Sequence, residues 1–171
     1  LAEIGRRFYL RGWMSGTSGN LSAVVSRAPL RLAITESSVP KGGLTPKQIL
    51  QVDGRGVPTR PTSGRPSAET LLHCVIARDR GAGAILHTHS VWSTILSDVH
   101  ASAGGLAISG FEMQKGLEGV RTHEQREFIP ILILENDQDM TRLAARVSDM
   151  LRERPDAHAF LLRRHGLYTW G

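Results

Sequence analysis

Two histidines separated by a single residue follow a short apolar run. The segment 84–90 reads Ala-Ile-Leu-His-Thr-His-Ser, so His87 and His89 come at the end of a predicted buried strand. Residues i and i+2 of a strand project from the same face, and the two imidazoles can therefore reach one metal ion. In a zinc site the Zn–N distances would be about 2.0–2.1 Å. The alternative is a pair of solvated or hydrogen-bonded histidines without a metal.

His165 is the candidate third ligand. It follows a predicted buried strand and precedes Gly166, which places it in a turn at the edge of a sheet. Three protein ligands leave one coordination position for substrate or water, as in catalytic zinc sites. Alone, His165 would be an ordinary turn histidine. Its combination with His87 and His89 favours a metal centre.

A catalytic metal site also needs a proton acceptor, and two carboxylates are candidates. Glu112 lies between Phe111 and Met113, where partial burial would raise its pKa and make it a usable base. Glu69 ends the segment 66–69, Pro-Ser-Ala-Glu, before a predicted helix. For both carboxylates the alternative is a solvated acid that the helix dipole favours in a first turn.

Two loops rich in glycine and serine offer donors for an anion. The first loop ends in Asn20, and the second contains Ser37, Ser38 and Lys41. Hydroxyls, backbone N–H groups and an ammonium in flexible loops suit a phosphate, whereas most loops of this composition are only turns. The sequence therefore offers a phosphate site as one interpretation of these loops.

These side chains must be positioned by alternating strands and helices. The apolar runs predict strands at 21–26, 30–35, 49–53, 83–86, 106–109, 128–134, 157–162 and 167–170. Helical spacing predicts helices over the first dozen residues, 67–79, 91–98 and 137–152. Two strand pairs have the pattern of hairpins, so we expect an α/β fold with a mixed sheet and helices on both faces. No internal repeat or domain boundary interrupts residues 1–171, which predicts a single domain.

Composition narrows the classes of function. The chain has 171 residues, of which 40% are hydrophobic and 22% are charged, which suits a packed core. No apolar run approaches the roughly 18 residues that span a bilayer, so no membrane partner is expected. The net charge is +5, but the basic residues are dispersed, which disfavours a nucleic-acid partner. The single cysteine, Cys74, excludes an internal disulfide and fits a cytoplasmic location.

Four segments occur together in an order that resembles one known family. They are 16–22 (Gly-Thr-Ser-Gly-Asn-Leu-Ser), 66–69 (Pro-Ser-Ala-Glu), 87–89 (His-Thr-His) and 164–166 (Arg-His-Gly). Over essentially its whole length the chain is similar to the class II aldolase/adducin-head family. Within that family, the segments 111–117 and 163–171 resemble those of dehydratases. The resemblance implies a three-layer α/β/α domain with a largely antiparallel sheet, and a C-terminal helical segment beyond residue 171.

The resemblance also implies an activity. The expected protein is a zinc-dependent lyase of methionine salvage that removes water from a small phosphorylated ketose, 5-methylthioribulose 1-phosphate. Glu112 would be its general acid/base, and Glu69 would support it near the metal or the substrate. The expected Zn²⁺ ligands are His87, His89 and His165. The expected contacts to the substrate phosphate are Asn20, Ser37, Ser38, Lys41 and Ser67.

Several alternatives stay open at this point. An aldolase or epimerase acting on another sugar phosphate, such as fuculose phosphate, would use the same metal site. Ala68 stands where the aldolase motif has a second serine, which disfavours that alternative. A non-catalytic scaffold like the adducin head would not need the complete histidine set. The identity of the metal is open as well, because Fe²⁺, Co²⁺ or Mn²⁺ can replace zinc at histidine sites. The resemblance further implies a homo-oligomer, namely a tetramer with active sites near subunit contacts.

Overall fold

The fold is built around one eight-stranded sheet. The computed structural model describes residues 1–122 and 128–171. The strands are β1 (Asn20–Arg27), β2 (Leu30–Thr35), β3 (Ile49–Asp53), β4 (Ala84–Thr88), β5 (Gly105–Ile108), β6 (Ile129–Leu134), β7 (Ala159–Leu162) and β8 (Gly166–Trp170). The α-helices are α1 (Ala2–Leu10), α2 (Thr70–Asp79), α3 (Val91–Val99) and α4 (Met140–Glu153). Short 3₁₀ helices cover Lys41–Gly43, Pro46–Gln48, Ala101–Ala103 and Glu112–Gly116.

The strand order places β4 near the middle of the sheet. The order is β3-β2-β1-β4-β8-β7-β6-β5. Each neighbouring pair is antiparallel except β6 and β7, which are parallel. The predicted mixed, largely antiparallel sheet is confirmed. Because β4 and β8 are antiparallel neighbours, the end of β4 meets the turn before β8, and the histidines at these two places come together.

Helices cover opposite faces of this sheet, as predicted. Alternate residues of β7 separate the two sides: Phe160 and Leu162 enter the larger core, whereas Ala159 and Leu161 enter the smaller one. Helices α2 and α4 contribute apolar residues to the larger core, and α3 contacts β7 and β8 beside the smaller core. Among the described residues, no helix is long and apolar enough to cross a membrane.

Two helices begin later in the chain than the sequence predicts. Helix α4 begins at Met140 and not at 137, because the Asp139 carboxylate accepts hydrogen bonds from two N–H groups of the first turn. Helix α2 begins at Thr70 and not next to Ser67. The Ser67 hydroxyl accepts a hydrogen bond from the N–H of Glu69, so Ser67 closes a turn before the helix.

Gly166 allows β8 to start beside the end of β4. A Cβ atom at this position would lie 2.2 Å from the carbonyl oxygen of Thr88 and 3.1 Å from Cε1 of His87. Real Cβ atoms do not approach a backbone oxygen this closely, so any larger residue would push the two strands apart. The close approach of β8 to β4 keeps the His165 turn near His87.

Replacing Gly166 with Ala should destabilise the fold. Overpacking of this kind costs about 1–3 kcal/mol, which corresponds to a fall in Tm of about 2–10 °C for a chain of this size. Thermal unfolding in a chelating buffer measures the change. Gly43→Ala is the matched control, because Gly43 is exposed and a Cβ there would meet no atom within 4 Å. Equal Tm values for the two variants would contradict the packing described here.

Candidate metal centre

Three imidazoles and one carboxylate converge where β4 ends. His87 lies in β4, His89 follows the strand, His165 precedes β8 and Glu69 caps α2. One ligand atom from each of the four side chains lies within 4.8 Å of all the others. The Nε2 atoms of His87 and His89 are 2.8 Å apart. The structure thus brings together the three predicted ligands and adds Glu69 to them.

Hydrogen bonds on the far side of the rings aim Nε2 at the centre of this cluster. The Nδ1 atom of His87 lies 3.0 Å from the carbonyl oxygen of Leu167. A carbonyl only accepts, so Nδ1 carries the proton and Nε2 keeps its lone pair. The Nδ1 atom of His165 lies 3.4 Å from Oδ1 of Asn136, which favours the same tautomer. The ring of Tyr168 stacks on His87 with centroids 4.0 Å apart and holds the plane of that imidazole.

The His165 turn is fixed by two hydroxyls of α3. Arg164 has φ 56°, a left-handed conformation that L-residues adopt only when the surroundings enforce it. Its N–H donates to the Ser97 hydroxyl at 2.8 Å, and the Thr94 hydroxyl donates to the carbonyl of His165 at 3.0 Å. These two bonds hold the turn in the conformation that directs His165 towards the cluster.

Burial keeps the imidazoles of His87 and His89 neutral. His87 is completely buried, and burial lowers its pKa well below the usual 6.5, with His89 and His165 lowering it further. Burial also lowers the pKa of His89 to about 4, with the neighbouring His165 adding to the effect. Neutral imidazole is the form that binds a metal. The site is therefore ready for a cation at neutral pH without releasing protons from these rings.

The Glu69 carboxylate supplies the fourth donor. Its Oε2 lies 3.3 Å from Nε2 of His87, and its Oε1 lies 3.4 Å from Nε2 of His165. Oε1 is buried and has no hydrogen-bond partner among the described residues. A buried carboxylate oxygen without a partner is costly, and a cation between it and the imidazoles would remove that cost. Three nitrogen donors and one oxygen donor suit zinc and related divalent metals.

A polar groove of about 410 Å³ opens beside the cluster. All six predicted substrate-binding residues line it: Asn20, Ser37, Ser38, Lys41, Ser67 and Glu69. His89 and His165 line it as well, while His87 lies fully buried behind them. The two predicted phosphate loops therefore face the same space as His89 and His165, two of the three predicted metal ligands.

Lys41 ties the two predicted phosphate loops together. Its side chain is buried, and Nζ donates to the carbonyl oxygens of Thr17 at 3.0 Å and Val39 at 2.9 Å. Burial lowers the pKa of the ammonium. An ammonium has three N–H donors, so one donor is left after these two bonds. Ser38, in the same loop, adopts a left-handed φ of 61°.

Glu112 does not line this groove. It lies in the first turn of the 3₁₀ helix Glu112–Gly116, where 69% of its side chain is exposed and Lys115 lies 2.6 Å from the carboxylate. The expected partial burial is wrong for the chain described here, because the flanking Phe111 and Met113 are themselves exposed. The role of Glu112 as general acid/base stays a prediction.

His73 belongs to the surroundings of the site, although no motif in the sequence singled it out. It lies four residues after Glu69 on one face of the α2 segment and is completely buried. Its ring nitrogens contact Ser22 and Asn20. The i, i+4 spacing from Glu69 is the one signal that could have indicated it. Asn136 and Gln138 also line the groove without having been predicted.

Comparison with known proteins agrees with this fold and site. Residues 1–171 match the family described as Class II Aldolase and Adducin N-terminal domain. The chain belongs to this family, whose aldolases are metal-dependent enzymes, so the predicted family is confirmed. The solved L-fuculose-1-phosphate aldolase from Thermus thermophilus superposes with a TM-score of 0.74 at 27% identity, covering 99% of this chain and 76% of that one.

Curated relatives of the chain include dehydratases. The methylthioribulose-1-phosphate dehydratase of Sorangium cellulosum is 42% identical over 172 aligned positions, which cover 100% of this chain and 79% of that protein. The methylthioribulose-1-phosphate dehydratase of Pseudomonas savastanoi pv. phaseolicola is 44% identical, covering 100% of this chain and 81% of that protein.

The metal-free protein should lose stability as the pH falls below about 6.5. Burial lowers the pKa of His73 to about 3, with His87 lowering it further. Burial lowers the pKa of His87 and His89 as well. Unfolding exposes these three histidines and returns their pKa to near 6.5, so the unfolded state binds more protons below that pH. Each of the three should reduce the free energy of unfolding by about 1 kcal/mol per pH unit.

Urea unfolding in the presence of a chelator, from about pH 7.5 to about pH 5.5, measures this dependence. In the His73→Gln variant, the free energy of unfolding should depend less steeply on pH, by the contribution of one histidine. A His73→Gln protein with the same pH dependence as the unsubstituted chain would contradict the neutral state of His73.

Proposed function

We propose that this chain removes water from 5-methylthioribulose 1-phosphate and forms 5-methylthio-2,3-diketopentyl 1-phosphate, a hydro-lyase reaction of methionine salvage. One observation carries the proposal. The donor set of Glu69, His87, His89 and His165 is complete in a chain that aligns over its whole length, at 42–44% identity, with dehydratases named for this substrate. The reduced Cys74 thiol fits a cytoplasmic enzyme.

We take the resident metal to be zinc, held by the three imidazoles. Bound there, it would polarise the C2 carbonyl of the substrate and acidify the neighbouring C3 proton. Glu69 faces the same position through Oε1, while its Oε2 accepts a hydrogen bond from Asn20 at 2.7 Å. This bond and the burial of Glu69 fix the carboxylate, so it can orient the reacting part of the substrate.

The substrate phosphate would lie at the Lys41 end of the groove. The remaining N–H donor of Lys41 and the hydroxyls of Ser37, Ser38 and Ser67 line this part of the site. A phosphate dianion is stabilised by a nearby ammonium and by several hydroxyl donors. One N–H of the Asn20 amide is already used by Glu69, which leaves the second for the phosphate.

The dehydration transfers one proton and releases one hydroxyl. A base removes the proton from C3, the hydroxyl at C4 leaves as water after accepting a proton, and the enol product tautomerises to the diketone. A carboxylate in the Glu112 position could accept the first proton and return it to the leaving hydroxyl. Since Glu112 does not line the groove of its own chain, we propose that it serves the groove of a neighbouring subunit.

An exposed apolar patch supports the proposed homo-oligomer. It consists of Trp92 and Leu96 on α3 and of Phe111 and Met113 around Glu112, next to the smaller core. Trp92 is 77% exposed and Met113 is 86% exposed, and the patch encloses a groove of about 700 Å³. Apolar surface of this kind marks interaction sites. We propose that subunit contacts in a tetramer cover it and carry Glu112 to an adjoining active site.

The reaction itself can be tested by product mass. The zinc-loaded protein incubated with 5-methylthioribulose 1-phosphate should give a product lighter by one water. A chelator should abolish the reaction and added zinc should restore it, because the metal supplies the electrophile. Unchanged substrate in the presence of bound zinc would contradict the proposed substrate. Carbon–carbon cleavage of fuculose 1-phosphate would favour the aldolase alternative.

Replacing Glu112 with Gln should lower kcat by about 10²–10⁴-fold, the usual contribution of a general acid/base. Zinc content should not change, because Glu112 is not among the four donors. Glu118→Gln is the matched control, since Glu118 is also exposed and lies in the same segment. Near-normal kcat in Glu112→Gln would show that another group is the base.

Subunit mixing tests where Glu112 acts. Glu112→Gln and His89→Gln should each be nearly inactive alone. When the two are co-expressed, hybrid oligomers should regain activity, because an intact His89 site can meet an intact Glu112 from the other subunit. Hybrid oligomers without recovered activity would contradict action across subunits.

A further inference from the structure

A buried series of hydrogen bonds connects β1 to the metal cluster through His73. The Ser22 hydroxyl lies 2.7 Å from Nδ1 of His73, and Nε2 of the same ring makes a short hydrogen bond with Oδ1 of Asn20. The Nδ2 group of Asn20 then donates to Oε2 of Glu69 at 2.7 Å. Ser22, His73 and Asn20 are at most 4% exposed, so water does not compete for these bonds.

The Glu69 carboxylate at one end fixes the direction of every bond in this series. A carboxylate only accepts, so the Asn20 amide must turn its N–H₂ group towards Glu69 and its oxygen towards His73. Nε2 of His73 must then carry the ring proton and donate it to Asn20. The neutral ring leaves Nδ1 as an acceptor, and the Ser22 hydroxyl donates to it. His73 is thereby held in a single tautomer.

We propose that His73 is a positioning residue of the metal centre. By donating from Nε2 to Asn20, it holds the amide in the one orientation that fixes Glu69, so that Oε1 of Glu69 faces the three imidazoles. The inference rests on the proposed function, because a metal is the group that Glu69 faces. His73 itself does not touch the substrate or the metal.

The cost of reversing the Asn20 amide explains why His73 is needed. A reversed amide would set its oxygen against the Glu69 carboxylate, which has no proton to donate. While Nε2 of His73 carries the ring proton, the reversed amide would also set its N–H₂ group against that N–H, so both contacts would be repulsive in this tautomer. Asn20 also pairs with His87 across β1 and β4. The position of Glu69 is thus tied to the strand that carries the first ligand.

The substitutions His73→Gln and His73→Asn distinguish a positioning role of His73 from a role in packing alone, because their amide nitrogens extend to different distances from the backbone. The amide nitrogen of glutamine reaches about as far as Nε2 of histidine, whereas that of asparagine reaches only as far as Nδ1. Zinc affinity, measured by competition with a chromophoric chelator, should fall about 10–100-fold in His73→Asn, the usual effect of removing a group that orients a metal ligand. His73→Gln should keep an affinity within about threefold of the unsubstituted chain, because it restores the donor.

Cys74→Ala is the matched control for packing. Cys74 follows His73 in α2 and is equally buried, but its thiol faces the carbonyl of Asp53 and not Asn20. This substitution should lower Tm without changing zinc affinity. In the loaded enzyme, His73→Asn should lower kcat by a larger factor than it raises KM, because the phosphate contacts of Lys41 and Ser38 do not depend on His73.

A double-mutant cycle tests whether His73 acts through Asn20. Asn20→Ala should lower zinc affinity. Adding His73→Asn to this variant should change its zinc affinity by less than about twofold, because the hydrogen bonds from His73 through Asn20 to Glu69 are already lost. Equal affinities of the Gln and Asn variants, or independent effects of the two sites, would overturn the inference. If the unsubstituted chain binds no zinc, the proposed function fails together with the inference. Failure of the inference alone is therefore distinguishable from failure of the proposed function.

Discussion

Three imidazoles and a carboxylate converge on one site here, and three of these four side chains have an outer polar atom held by a partner elsewhere in the chain. Nδ1 of His87 uses the Leu167 carbonyl, Nδ1 of His165 faces Asn136, and Oε2 of Glu69 uses Asn20. The atoms left over point at one place. These outer partners come from distant parts of the chain, so the site exists only when the sheet is assembled with β4 between β1 and β8.

The same topology gives the molecule two different surfaces around this site. On one side, the loops before β1 and after β2 form the polar groove, and Lys41 holds them together from inside. On the other side, apolar side chains of α3 and of the segment around Glu112 are exposed next to the smaller core. The proposed oligomer connects the two surfaces, because it would cover the apolar patch and bring Glu112 to a polar groove.

Local patterns were sufficient to predict most of the strands and the three histidines that come together. The His87 and His89 pair follows an apolar run, and a β-strand places such a pair on one face. His73 was not predictable in this way, because its role depends on which side of α2 meets β1, and helical spacing alone does not reveal that. The burial of Glu112 was mispredicted because apolar neighbours bury a residue only when a surface covers them. Within the described part of the single chain, Phe111 and Met113 have no such cover and are exposed.

The central claim is that His87, His89 and His165 hold a single zinc ion that Oε1 of Glu69 faces. X-ray absorption spectroscopy at the zinc edge of the loaded protein tests it most directly, because the signal counts imidazole ligands without reference to activity. The account predicts three imidazoles with Zn–N distances of about 2.0–2.1 Å, together with oxygen ligands and no sulfur. Two or fewer imidazoles, or a sulfur ligand at about 2.3 Å from Cys74, would contradict it.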